Sequence, residues 1–470
     1  MDYKMLKRIL ILFIFQIAII LPLYIAQAGG VYTQTKHGDS STGVLRDNSI
    51  ERADCRQCHI EHSAGGTPNT YALFAPNTNG LCFTTSGTSP CHNSASSLGI
   101  FQGSVKYGDS SHATDSQVVW PGPNPSARPA SDSGKCVNCH SPHGYEDGNG
   151  LIPSQLIKRE ENLCLTCHDS NGPASTDIQT DISKTYRHPA SDYTGRHSED
   201  EDGTASNYGT SPSNNRHAEC VDCHNPHIAA ADTSPPSAPT MPLSLKGVGR
   251  VKVSNGSAGT TPSFTYVSPS NNSTPLREYQ ICFKCHSSWT SQPSGQPDLS
   301  VKFNTNNPSY HPVEAQGKNL NINPNAFVNG WSDTDLMYCS DCHGSDSGTA
   351  NGPHGSTYNF ILKNNYVQST AKRTMSSNEI CFNCHRYDTY GNPNSSKTVR
   401  KYSRFEKHHE HIKKQYTCYN CHDSHGSTEK PHLIVTGRNP GVIDYNETQN
   451  GGSCRPTCHG WESYNVTYPR

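Results

Sequence analysis

Leucine, isoleucine, valine and phenylalanine together make up only about 16% of this 470-residue chain. At that level an ordinary sequence cannot bury enough apolar surface to offset the entropy of ordering its backbone. Charge is scarce too: Lys plus Arg number 38 against 40 Asp plus Glu, for a net charge of −2. Such a balance excludes a basic nucleic-acid face and a polybasic membrane patch. Beyond the first thirty residues no stretch approaches the ~20 apolar residues that cross a bilayer. Long helical periodicity is also missing. Gly, Pro, Ser, Thr and Asn crowd Pro121 to Ser133, Ser206 to Asn215 and Ser254 to Ser273, which read as loops.

Cysteine, by contrast, is abundant, with 20 residues, and every one belongs to a pair whose second member precedes histidine. Eight pairs have the form C-x-x-C-H: Cys55/Cys58-His59, Cys136/Cys139-His140, Cys164/Cys167-His168, Cys220/Cys223-His224, Cys282/Cys285-His286, Cys339/Cys342-His343, Cys381/Cys384-His385 and Cys418/Cys421-His422. Two are stretched, Cys82/Cys91-His92 and Cys454/Cys458-His459. C-x-x-C-H is the attachment signature of haem c: two thiols add across the porphyrin vinyl groups, and the next histidine is held under the iron. Zinc or dithiol chemistry also uses C-x-x-C but has no need of histidine at the following position each time. The pattern therefore predicts ten covalently attached haems. For Cys82–Cys91 and Cys454–Cys458 a disulfide stays open as the alternative. Ten macrocycles would supply the missing apolar core, and the chain is not expected to fold without them. The expected fold is mostly irregular, with short α-helices, little β-sheet and haem as the packing.

Lys4, Lys7 and Arg8, the apolar run Ile9 to Leu21 and the Ala26-Gln27-Ala28 site predict a signal peptide over 1–28 and a secreted mature chain without a transmembrane segment. The motifs then fall into five couples, over 29–95, 96–170, 171–290, 291–390 and 391–470. Short helical runs are expected before the second motifs, with Ser376 and Glu379 as a capping box and Thr274-Pro275 at a helix start. Little regular structure is expected elsewhere.

Histidine supply tests whether the irons are open or closed. Ten irons with two histidines each need twenty, and the chain has 25. The fifteen outside the motifs are His37, His62, His112, His143, His188, His197, His217, His227, His311, His354, His408, His409, His411, His425 and His432. Each couple offers one just after its first motif (His62, His143, His227, His354, His425) and one upstream (His37, His112, His188, His311, His409). At this last position His408 and His411 are alternatives. His197, His217 and His432 are not expected to ligate. A histidine three residues after its own motif cannot easily reach the opposite face of that haem. It is expected to ligate a neighbouring one, stitching the couple together. Two roles are open to His37: a ligand within its own chain, or a tethered ligand for an adjacent copy that would build a filament.

The segment CVNCHSPHG followed by ENLCLTCH resembles the paired C-x-x-C-H multihaem cytochromes, and the likeness extends at motif level over most of the mature chain. Stretched sites like these are similar to those of secreted, sometimes filament-forming, multihaem cytochromes of metal-respiring bacteria. Two histidines per iron would leave no open position for substrate, so the expected function is electron transfer rather than catalysis, with other redox proteins or extracellular acceptors as partners and a homopolymer as one assembly. The resemblance points to the cell exterior. A periplasmic wire within an outer-membrane porin, and a multihaem reductase or oxidase with one open haem, are the alternative functions.

Overall fold

The computed structural model describes residues 31–60, 69–83, 91–92, 107–119, 133–191, 203–208, 217–269, 276–290, 295–348 and 350–466. Among these, regular structure comes in short pieces: eleven α-helices of four to six residues and five sheets of two or three strands. This is the loop-rich, short-helix fold expected. Turn-forming residues interrupt every window before a helix long enough to sustain itself can propagate. No helix among the described residues is long and apolar enough to cross a membrane. The predicted signal peptide, 1–28, lies outside the described residues.

The chain divides into two compact units. One comprises Met1–Ser175 with Pro226–Ile228, the other Thr176–Asn225 with Ala229–Arg470. Couples one and two fall in the first unit. The other three fall in the second, apart from 171–175 and Pro226–Ile228.

One local unit recurs. Each couple's first motif forms a single tight turn of helix: Cys55–Gln57, Cys136–Asn138, Cys220–Cys223, Cys339–Asp341 and Cys418–Cys421. The residue before the second cysteine is polar every time and serves backbone groups that would otherwise lack partners. Gln57 Oε1 accepts from the Arg46 and Asp47 amides, each at 2.8 Å. Asn138 Nδ2 donates to the Val118 carbonyl. Asp222, Asp341 and Asn420 each accept the amide of the residue preceding their turn at 2.7 Å. After four of these motifs the chain doubles back and bridges the motif histidine: His59 to Leu73, His140 to Leu156, His343 to Leu362 and His422 to Ile434. The two residues before each bridge adopt left-handed conformations: Tyr71 and Ala72, Ser154 and Gln155, Phe360 and Ile361, His432 and Leu433. None is glycine, so each turn holds strain that its surroundings must offset.

Longer-range pairing involves two-residue strands. Tyr186–Arg187 pairs with Gly355–Ser356, and Ser309–Tyr310 with Gly426–Ser427, both antiparallel. A hairpin joins Arg250–Ser254 to Ser263–Val267, and a three-stranded sheet joins Val442–Thr448, Gly451–Pro456 and Glu462–Asn465. Neither is expected from the sequence, where the Gly- and Ser-rich flanks hide short period-two alternations such as Phe264/Tyr266. Ser376 donates its amide to Glu379 Oε1 at 3.0 Å, half of the expected capping box, but the turn that follows, Ile380–Asn383, is a 3-10 helix. Thr274 and Pro275 lie outside the described residues.

Apolar packing is dispersed. Four small clusters centre on Ile281, Phe283, Phe382 and Val442. Three of them border attachment cysteines: Cys223, Cys418, and Cys421 with Cys454.

Candidate functional site

Every motif histidine faces a second histidine ring. In chain order of the motifs the pairs are His59 with His143 at 5.9 Å between ring centroids, His92 with His37 at 5.8 Å, and His140 with His227 at 5.8 Å. Then come His168 with His112 at 6.3 Å, His224 with His354 at 6.0 Å, and His286 with His188 at 6.1 Å. His343 with His425 at 6.3 Å and His385 with His311 at 6.4 Å follow. His422 with His408 and His459 with His411, both at 6.3 Å, complete the set. Metal–imidazole bonds are ~2 Å long and a ring centroid lies about 1.1 Å behind the bonding nitrogen, so two imidazoles across one metal ion have centroids roughly 6.3 Å apart. The spacing thus leaves room for one metal atom. No group of three or more His, Cys, Asp or Glu suited to a metal converges among the described residues. Two protein ligands per site suit an iron whose other four positions belong to a porphyrin.

Hydrogen bonding fixes which nitrogen points inward. His59, His140, His224, His343 and His422 set Nδ1 against the carbonyls of Tyr71, Ser154, Ser244, Phe360 and His432, at 2.8 to 3.0 Å. On the opposite side His37, His112, His188 and His311 set Nδ1 against the carbonyls of Pro142, Pro226, Pro353 and Ser424. A carbonyl only accepts, so Nδ1 carries the proton in each case and Nε2 is left bare. The carbonyl partner also orients the ring and raises its basicity as a ligand. Burial first, and the facing imidazole second, drives the pKa of His227, His385 and His425 down to about 4 and that of His408 to about 3. Neutral imidazoles are the form that binds metal.

The three other described histidines are arranged differently. His217 Nε2 lies 2.9 Å from Glu219, His409 Nε2 2.6 Å from Glu410, and His432 Nε2 2.8 Å from Glu447. In each, the nitrogen that would ligate is held by a carboxylate. His409, expected to be the fifth upstream ligand, therefore does not face a motif histidine. His408 and His411 do, because residues three apart share one face of the helix His408–Lys413 while His409 turns away. His62 and His197 lie outside the described residues, and all ten motif histidines have partners without His62.

The expected stitching is also corrected. His143, His227, His354 and His425 do not join the two members of their own couples. Each faces the first motif histidine of the preceding couple, while the upstream histidines face the second motif of their own. Backbone pairing accompanies the arrangement: the His188 amide donates to the His354 carbonyl and the His311 amide to the His425 carbonyl, which sets side by side two histidines that face different motifs. Of the two roles open to His37, the geometry matches the one within its own chain.

None of the twenty cysteines is paired in a disulfide, Cys82, Cys91, Cys454 and Cys458 included. Thiols of successive sites meet: Cys82 hydrogen-bonds Cys136, Cys282 bonds Cys339, and Cys381 bonds Cys418. Cys285 is half-buried, just past the short helix Tyr279–Cys282, and its amide donates to the Cys282 carbonyl at 3.1 Å. The Cys167 amide donates to the Cys164 carbonyl in the same way, also at 3.1 Å. This turn places Cys285 beside Cys282 as the spacing requires, but it also brings both near Cys223 of the preceding motif. Burial pushes the Cys223 thiol up, and Cys282 and Cys285 add to the rise. The attachment points of two sites therefore share one environment there, a contact between motifs 62 residues apart that spacing alone does not reveal.

Sequence reasoning missed two further features. One is the polar residue before the second cysteine of each first motif, visible as Gln57, Asn138, Asp222, Asp341 and Asn420. The other is the left-handed turn that carries the carbonyl for the motif histidine, which leaves no residue signature because it uses Tyr, Ser, Phe and His.

These motifs indicate covalently bound haem c, and their doubled arrangement fits a multihaem c-type cytochrome of the electron-transfer kind. Residues 129–173 match the family model of the doubled CXXCH motif. That span contains both attachment pairs of the second couple. No curated protein and no solved structure matches the chain.

Proposed function

We propose that the chain is a decahaem c-type cytochrome that carries electrons along ten haems, each held by two histidines, and that it is not an enzyme. The observation behind this reading is the complete set of facing histidine pairs, one for each attachment motif. Bound haem would supply a reversible one-electron couple at each site. The chain's own part is to close both axial positions, so that no substrate reaches the metal, and to hold attachment points of successive sites in contact, as at Cys82 and Cys136. Export by the N-terminal leader and the polar, loop-rich character of the chain support a place outside the cell, with redox proteins or extracellular acceptors as partners. Filament assembly would need contacts other than a bond from His37, which faces His92 of its own chain.

Intact mass is expected to exceed the mature polypeptide by ten haem units. A mass with eight or nine would return the stretched pairs to the disulfide reading. The native reduced protein should not bind CO, and one equivalent of CO bound per chain would revive the open-haem enzyme. Protease treatment of intact cells should remove the protein, and protection would move it to the periplasm.

A further inference from the structure

We infer that the helix His408–Lys413 acts as a cap that stands in for a following motif and completes the two haem sites of the fifth couple from within one chain. The inference rests on the bis-histidine reading above and deepens it. In the first four couples, the first motif histidine faces a ring supplied by the motif of the next couple: His143, His227, His354 or His425. His422, in the fifth couple, departs from that rule. The ring facing it is His408, from upstream of its own motif, and one turn further on His411 faces His459. One short helix therefore does what a following motif does elsewhere.

The helix is built for that task. Its rings set Nδ1 on local carbonyls, His408 on Phe405 at 2.8 Å and His411 on Lys407 at 2.9 Å, so neither depends on a distant loop. Phe405 packs against both rings, at 5.2 and 5.6 Å, and against Tyr464 of the C-terminal sheet at 5.1 Å. Ile412 is buried in a cluster with Met375 and Phe382. An adjacent copy consequently finds no vacant iron at these two sites.

His408→Ala and His411→Ala should each convert one haem of ten to a high-spin, CO-binding form that added imidazole returns to low spin. His409→Ala should leave all ten low-spin. Dilution of the wild-type protein to monomer, followed by mass photometry and optical spectra, should leave every haem low-spin. Ten low-spin haems in His408→Ala or His411→Ala, or a high-spin fraction that grows on dilution of the wild type, would overturn the cap. Fewer than ten low-spin haems in concentrated wild type would instead overturn the bis-histidine reading itself.

Discussion

At the scale of single residues, the second unit depends on a few buried charges next to the ligand-bearing strands. Lys184 Nζ lies 2.6 Å from both Asp181 and Asp346 and also reaches the hydroxyls of Ser345 and Ser347. Asp181 is completely buried. Replacing Lys184 with methionine leaves that carboxylate without its cation and should cost about 3–5 kcal/mol, measured by chemical denaturation of the holoprotein. Glu314 shows the opposite case. Burial raises its pKa to about 7, against a partly compensating hydrogen bond from Asn255 at 2.8 Å. The folded chain thus holds Glu314 protonated where the unfolded chain has already released the proton. This contribution is fully present below the unfolded pKa, near 4.5, and is lost as pH rises through about 7. Melting temperatures of the wild type should fall from pH 5 to pH 8 more than those of Glu314→Gln. Equal slopes would mean that Glu314 is ionised throughout.

At the scale of elements, the two-residue strands do more than their length suggests. Gly355 and Gly426 each follow a histidine and sit where no side chain fits: a Cβ would lie 1.9 Å from the Asp181 carbonyl oxygen and 2.0 Å from that of Lys302. Gly355→Ala must push Gly355–Ser356 away from Asp181 in the helix Ile178–Ile182, and so disturb His354 and the His188 paired with it. Two haems should lose low-spin character together in this variant, seen as a loss of about one fifth of the low-spin signal. The pairing of His188 and His354 through one backbone bond predicts that joint loss, whereas independent loops would lose one site alone.

At the scale of the whole molecule, the ten pairs form two geometric classes. Rings facing the first motif histidines are nearly parallel, with interplanar angles of 14 to 28°. Those facing the second motif histidines are inclined by 39 to 75°. Axial ring orientation alters the electronic ground state of low-spin ferric iron, so EPR of the oxidised protein should resolve two populations of similar size. One uniform signal would show that haem insertion resets the rings. The dispersed apolar clusters carry a second expectation. Replacing both cysteines of several motifs with serine should yield chains that fail to become protease-resistant, since no side-chain core remains to hold them.

The sequence alone determined the chemistry. C-x-x-C-H is a covalent requirement that reads the same in any fold, and the twenty cysteines and ten motif histidines follow from spacing without reference to neighbours. Low apolar content and dense turn residues likewise determined a loop-rich fold with short helices, because those limits are local. Spacing also joins Cys285 to Cys282 and His286, but its place near Cys223 came only with the fold. Which histidine faces which was decided in three dimensions too. His143 and His168 belong to one couple by sequence, yet His143 faces His59, since pairing depends on strands such as Tyr186–Arg187 and Gly355–Ser356 that are far apart in the chain. The choice of His408 and His411 over His409 turned on one helical turn, and the carbonyls that orient the motif histidines on left-handed turns that no residue type announces. The attachment motif is written residue by residue, whereas the facing histidine is a long-range contact, and the tertiary structure alone selects it.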